Sequence, residues 1–293
     1  MGFTSYSISN RTDRAASTYA VKSTDEIFTQ NKLHRIHPEM NPHGITVREC
    51  CDSVAHPATV PIQLYLDVTG SMGRIPVMMI KSGLPTLIST LIQNGVPDTA
   101  LMFGAIGDHT CDQAPLQVGQ FESGDAELDM WLERTWLEGR GGANEGESYL
   151  LAWYFAANHV RIDAFSKRNT KGFVFTIGDE PCLNNLPVSA ITAIMGKGLQ
   201  GTGSFSREHL LERAQQENHV FHIHIDHNRY CDPWWMEALG QNLIRVNDYT
   251  VIPAVISQTI LDHMDKRPLS MSQAGLSVTK PNTPIDVPAE IIL

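Results

Sequence analysis

Three side chains in the stretch Pro61 to Gly73, PIQLYLDVTGSMG, carry oxygen at alternate positions: Asp67, Thr69 and Ser71. They follow the apolar run Ile62 to Leu66 and precede a long amphipathic segment. If that run is a buried strand, one carboxylate and two hydroxyls converge on a single point just beyond its end. These are hard donors, too few to enclose calcium. They suit magnesium or manganese, which keep bound waters and leave a place for an oxygen from a partner.

The surrounding elements must put that point at a sheet edge. A near-continuous apolar run predicts a buried parallel strand, and the carboxyl ends of such strands form the ligand crevice of an open α/β sheet. Gly73 to Asn94 has apolar residues at helical spacing, with Pro76 in a first turn and Pro85 predicting a kink. Thr99 to Ile106 reads as a second strand and Leu116 to Phe121 as its antiparallel return, which brings Asp108 to the edge that carries Asp67. A helix from Asp125 to Leu137 follows, then a glycine-rich link in which Asn144 and Glu147 have capping-box spacing. Strands at Gly172 to Ile177, Val220 to Ile225 and Leu243 to Val246 alternate with helices, and a helix from Thr250 to Met264 closes the series. The alternation predicts an α/β fold, a doubly wound and mostly parallel sheet with one antiparallel edge strand.

The 293 residues, 42% hydrophobic, divide on this reading into three parts. Residues 1–60 are a polar extension that packs on the main domain through Ile45, Val47 and Val54, residues 61–265 are the domain, and residues 266–293 are a proline-punctuated tail. A formal net charge of −10 argues against nucleic-acid binding and against anionic membranes. Five irregularly spaced cysteines fit a reducing compartment better than a disulfide framework, and no apolar leader begins the sequence, so a cytoplasmic location is expected.

The segment DVTGSM resembles the metal-ion-dependent adhesion site of von Willebrand factor A domains, written D-x-S-x-S or D-x-T-G-S-M. Two further stretches carry the resemblance: FGAIGDHTCDQAPLQVGQF with GGANEGE, similar to the intracellular subgroup that includes domains attached to alpha-kinases, and FTIGDEP, similar to the loop T-D-x-P-P. The resemblance covers Pro61 to Asp265 and implies the Rossmann-like three-layer sandwich of that family. It also implies that Asp67, Thr69 and Ser71 are first-loop ligands and Asp179 the third-loop carboxylate. The second loop departs from the pattern, because Ala143 stands where adhesion-type domains have threonine and Asn144 where the intracellular subgroup has aspartate. Asn144 is the first choice of ligand there and Glu147 the second, with Asp108 in an outer, water-holding role.

Other clusters have quieter readings. Cys111, Cys182 and Cys231 fall after strands on the same rim, with His109 and His227, but lack zinc-site spacing. His222 and His224 alternate on one strand and fill one side of the sheet, while Trp234 and Trp235 read as helix-start packing. What the resemblance implies is a non-enzymatic interaction module. It binds Mg2+ (or Mn2+ or Ca2+) and, through it, an acidic side chain of a protein partner, such as a separately encoded AAA+ ATPase or kinase to which it is an adaptor. A structural protein of a viral or bacterial assembly is the alternative, and a hydrolase using Asp67, Asp179 and His109 a weaker one.

Overall fold

The apolar runs form a single six-stranded sheet in the computed structural model, which describes residues 5–96, 98–139, 146–196, 202–226 and 231–264. Its strands are β1 (Val60–Asp67), β2 (Thr99–Ile106), β3 (Leu116–Val118), β4 (Gly172–Gly178), β5 (Asn218–Ile225) and β6 (Leu243–Val246). They lie in the order β3-β2-β1-β4-β5-β6, and every pair is parallel except β2 with the edge strand β3. This is the doubly wound order, in which the chain leaves β1 toward one edge and returns to the other side of it at β4. The expected α/β class, with one antiparallel edge strand, is the one observed.

Alternation along the strands separates two buried layers. Ile62, Leu64 and Leu66 of β1, Phe173, Phe175 and Ile177 of β4, and Phe221, Ile223 and Ile225 of β5 face one side. There they meet α2 (Leu84–Gln93), α3 (Asp125–Glu133) and the closing helix, Ile252–His263, while α1 (Ile8–Arg14) packs on α2 and α3. Tyr65, Met102, Val174, Val220 and Leu243 face the other side, under α4 (Tyr149–Asn158), α5 (Val188–Met195), α6 (Arg207–Gln215) and α7 (Pro233–Leu239). The closing helix is α8.

Two details differ from the sequence reading. The kink expected at Pro85 takes the form of a wide π turn, Met79–Gly83, placed before it. That turn leaves Pro85 in the first turn of α2, where a missing N–H costs nothing. The N-terminal segment is anchored by Tyr19, Ile27 and Phe28, all buried in the α2–α3 layer. Val54, expected to help bury that segment, is fully exposed at 100%. Residues 266–293, the expected tail, lie outside the described residues.

Candidate functional site

The site stands at the switch point. Asp67 ends β1 opposite Ile106 of β2, and Leu66 pairs with Ile177 of β4. Asp108 lies two residues beyond Ile106 and Asp179 two beyond Ile177, so one strand end and two loops gather their carboxylates on one rim. After Asp67 the chain runs extended through Thr69 and tightens into the 3-10 turn Gly70–Met72. It then reverses at Gly73, whose φ of 49° with ψ of −107° favours glycine. Gly70 is needed for a different reason. A Cβ there would stand 3.0 Å from the carbonyl oxygen of Gly139, where the second loop begins.

These constraints string the oxygens together. Asp67 Oδ1 accepts from the Thr69 N–H at 2.8 Å and from Thr69 Oγ1 at 2.6 Å. Thr69 Oγ1 is 3.5 Å from Ser71 Oγ, which donates to Asp179 Oδ1 at 2.8 Å. Asp67, Thr69 and Asp179 are buried and Ser71 is half-exposed, so the chain of oxygens opens to solvent at Ser71. The structure thus brings together Asp67, Thr69, Ser71 and Asp179. Asp108 is buried nearby with its carboxylate turned into its own loop, accepting from the Thr110 N–H and Oγ1 at 2.8 and 2.7 Å. Asn144 lies outside the described residues.

Glu147 enters from the second loop. Its N–H donates to the Pro181 carbonyl at 2.8 Å and its carbonyl accepts from Leu183 at 3.0 Å, while the next N–H, of Ser148, reaches the Gly107 carbonyl at 3.3 Å. The segment is thereby wedged between the loops carrying Asp108 and Asp179. Glu147 Oε2 is buried with no hydrogen-bond partner among the described residues. Burial, then the charges of Asp67, Asp112, Asp108 and Asp179, push its carboxyl up to about 10. Burial, with the charge of Asp179 as a further contribution against the Thr69 hydrogen bonds, pushes Asp67 up to about 7. Buried carboxylates crowded in this way are costly unless a cation neutralises them.

Sequence reasoning missed Tyr149. Its hydroxyl donates to Asp67 Oδ2 at 3.2 Å from the first residue of α4, and only its position after Glu147 could have marked it. His109 turns toward Ser148, with Nδ1 2.8 Å from the serine Oγ. The cysteines are all free, with Cys111 exposed and Cys182 buried, and His227 lies outside the described residues. His222 is buried, stacked on Trp235 at 3.7 Å and hydrogen-bonded to Thr176 Oγ1 at 2.9 Å. Trp234 lies under the Arg207 guanidinium at 3.8 Å.

The residues present fit a divalent cation. No three His, Cys, Asp or Glu side chains among the described residues are grouped to hold a metal on their own. The set around Asp67 draws two of its four oxygens from hydroxyls, and hydroxyl, carboxylate and water oxygens are the donors hard cations prefer. Among the described residues, one helical stretch, Ile75–Gln93, is long and apolar enough to cross a membrane by length and composition, and half of it is buried inside the fold.

No protein-family model matches the chain, and no curated protein does. Among solved structures it is similar to the pilus adhesin SpaC from Lactobacillus rhamnosus GG, at 10% identity over 70% of this chain and with a TM-score of 0.45. The open conformation of that adhesin gives a TM-score of 0.44. Proximal thread matrix protein 1 from the mussel byssus is similar at 12% identity over 72% of this chain, with a TM-score of 0.43. The match spans 30% of the adhesin's length and 48% of the matrix protein's.

Proposed function

We propose that this protein is a divalent-cation-dependent protein-interaction module of the von Willebrand factor A type, and not an enzyme. Thr69, Ser71, Asp67 and Asp179 would hold Mg2+, or Mn2+ or Ca2+ in its place, with Glu147 or Asn144 contributing from the second loop. When bound, the cation supplies Lewis acidity toward an acidic side chain of a protein partner, of which a separately encoded AAA+ ATPase or kinase is one kind. Ser71, the half-exposed member of the set, marks where that side chain would arrive. The partner's carboxylate would replace water, and the affinity would be lost in chelator. A cytoplasmic setting belongs to the proposal, supported by five cysteines none of which is paired.

The observation that carries this reading is the chain of oxygens from Asp67 to Asp179 across the β1–β4 switch point. Calorimetric titration of metal-free protein with Mg2+ and Mn2+, beside Asp67→Ala, tests it. One-site saturable binding that disappears in the variant is expected. A wild-type protein that binds neither ion would remove the basis of the proposal.

A further inference from the structure

Asp67 is held from two sides, and only one of them is its own loop. Oδ1 takes two donors, the Thr69 N–H and hydroxyl. Oδ2 takes the phenol of Tyr149, which belongs to a different element 82 residues further on. A carboxylate oxygen accepts about two hydrogen bonds. Oδ1 is therefore filled, and Oδ2 keeps one acceptor site for a cation or its water.

The phenol is fixed where it stands. Tyr149 is fully buried at 0% exposure, so water does not compete for its hydroxyl. Its ring meets His222 edge-on at 4.9 Å and Trp235 edge-on at 5.5 Å, and those two rings are stacked on each other. The backbone of β4 makes room for it at one residue. A Cβ on Gly178 would lie 1.9 Å from the Tyr149 oxygen and 2.8 Å from Cζ. Gly178 is thus required by space, and it directly precedes Asp179. Tyr149 is also the first residue of α4, two residues after Glu147, so one side chain ties the second loop to the aspartate of the first and rests against the strand of the third.

We infer that Tyr149 is a positioning residue that fixes Asp67 in a one-oxygen, one-acceptor geometry, and that this selects magnesium-like cations over calcium. The inference rests on the cation-binding reading above. Its physical basis is the difference between the two ions. Mg2+ demands near-octahedral geometry, whereas Ca2+ takes carboxylates through one or both oxygens in flexible shells. A carboxylate clamped on both sides suits the first. One released on Oδ2 is free to rotate or to offer both oxygens, which suits the second. Outer partners that orient metal ligands are worth roughly 10- to 100-fold in affinity.

The test uses the full chain and competition of Mg2+ and Ca2+ against Mn2+ in wild type, Tyr149→Phe, Gly178→Ala and Trp235→Phe. Tyr149→Phe is expected to weaken Mg2+ binding about tenfold or more and Ca2+ binding less, so the Mg2+/Ca2+ preference falls. Gly178→Ala, which displaces the phenol without removing it, is expected to lower the same ratio. Trp235→Phe loosens the aromatic stack and gives up the 3.4 Å bond from the indole N–H to the Glu180 carbonyl but leaves the Tyr149–Asp67 hydrogen bond, and is expected to lower the melting temperature with the ratio intact. A folded Tyr149→Phe with wild-type affinity and preference would overturn the role of Tyr149 and leave the cation site standing. A preference lost equally in Trp235→Phe would reduce Tyr149 to packing and overturn the inference. A wild type that binds none of the three ions would overturn both readings. If Gly178→Ala does not fold, Tyr149→Phe and Trp235→Phe still decide the matter.

Discussion

Ser71 Oγ donates to Asp179 Oδ1 across 2.8 Å, although the two residues are 108 positions apart. The bond joins the loops that leave the two strands flanking the switch point, and nothing local in either loop requires it. Asp179 also raises the pKa of Asp67 by like charge. Asp179→Asn therefore separates two effects. It removes a carboxylate from the cation shell and relieves repulsion in the metal-free protein. The expected outcome is a melting temperature in chelator equal to or above wild type, with the Mg2+-induced rise abolished. Undiminished Mg2+ binding by the variant would exclude Asp179 as a ligand.

The crowded carboxylates also fix how metal-free stability responds to pH. Asp67 is pushed up to about 7 and Glu147 to about 10, chiefly by burial, whereas both titrate near about 4 when the chain is unfolded. The folded state then holds more protons than the unfolded one, so stability is greatest below about pH 4 for these groups. It falls as pH rises through the Asp67 window toward about 7, and further toward about 10 for Glu147. A cation replaces the protons. At a concentration 100 times its dissociation constant it adds about 2.7 kcal/mol. Denaturant midpoints between about pH 5 and 9, in chelator and in Mg2+, should show a falling curve and a flatter, higher one. A flat curve in chelator would show that these carboxyls are not buried against one another.

His222 supplies the opposing limb. Burial, with His224 beside it, pushes its pKa far below the ordinary histidine value, and it stands between Thr176 and Trp235 as a neutral ring. Unfolding releases it to take a proton near about pH 6.5, so its contribution is present above that value and is lost as pH falls below it. His222→Gln removes that titration. Its stability relative to wild type is expected to improve steadily between about pH 7 and 5. A constant difference across that range would mean that His222 takes up its proton equally in the folded and unfolded states.

The sheet and the first loop were legible because their information is local. Near-continuous apolar runs such as IQLYL of β1 and TALMFGAI of β2 mark strands buried on both faces, and Asp67, Thr69 and Ser71 are read from one turn. Asp179 was legible because its loop follows another such run. Tyr149 was not, since its contact with Asp67 depends on where α4 lands, and a tyrosine inside YLLAWYF reads as core. The N-terminal segment is legible only in part: Ile45 packs half-buried against the core as expected, but Val54 is exposed, and the segment is also held by Tyr19, Ile27, Phe28 and a buried arginine.

That arginine gives the last prediction. Arg11 is 1% exposed, and its Nε stands 2.9 Å from Asp129 of α3. Its guanidinium also donates to the Ile80 carbonyl in the π turn before α2 and lies 5.0 Å from the Tyr19 ring. One side chain thereby binds α1, α2 and α3 together, and the helix it grips grows out of the Ser71 turn. Arg11→Ala leaves Asp129 with Arg14 alone, whose Nε stands 2.9 Å from Oδ2, and takes the donor from the Ile80 carbonyl. In denaturant unfolding it is expected to cost more than about 1 kcal/mol but less than the roughly 3–5 kcal/mol of a buried charge left wholly unpaired. Arg11→Met with Asp129→Leu removes both charges and is expected to cost less than Arg11→Ala alone, because no half-paired buried carboxylate is left behind and Arg14, partly exposed, keeps Asp125. A loss within about 1 kcal/mol for Arg11→Ala, the range of surface ion pairs, would mean that the segment rests on the domain without stabilising it.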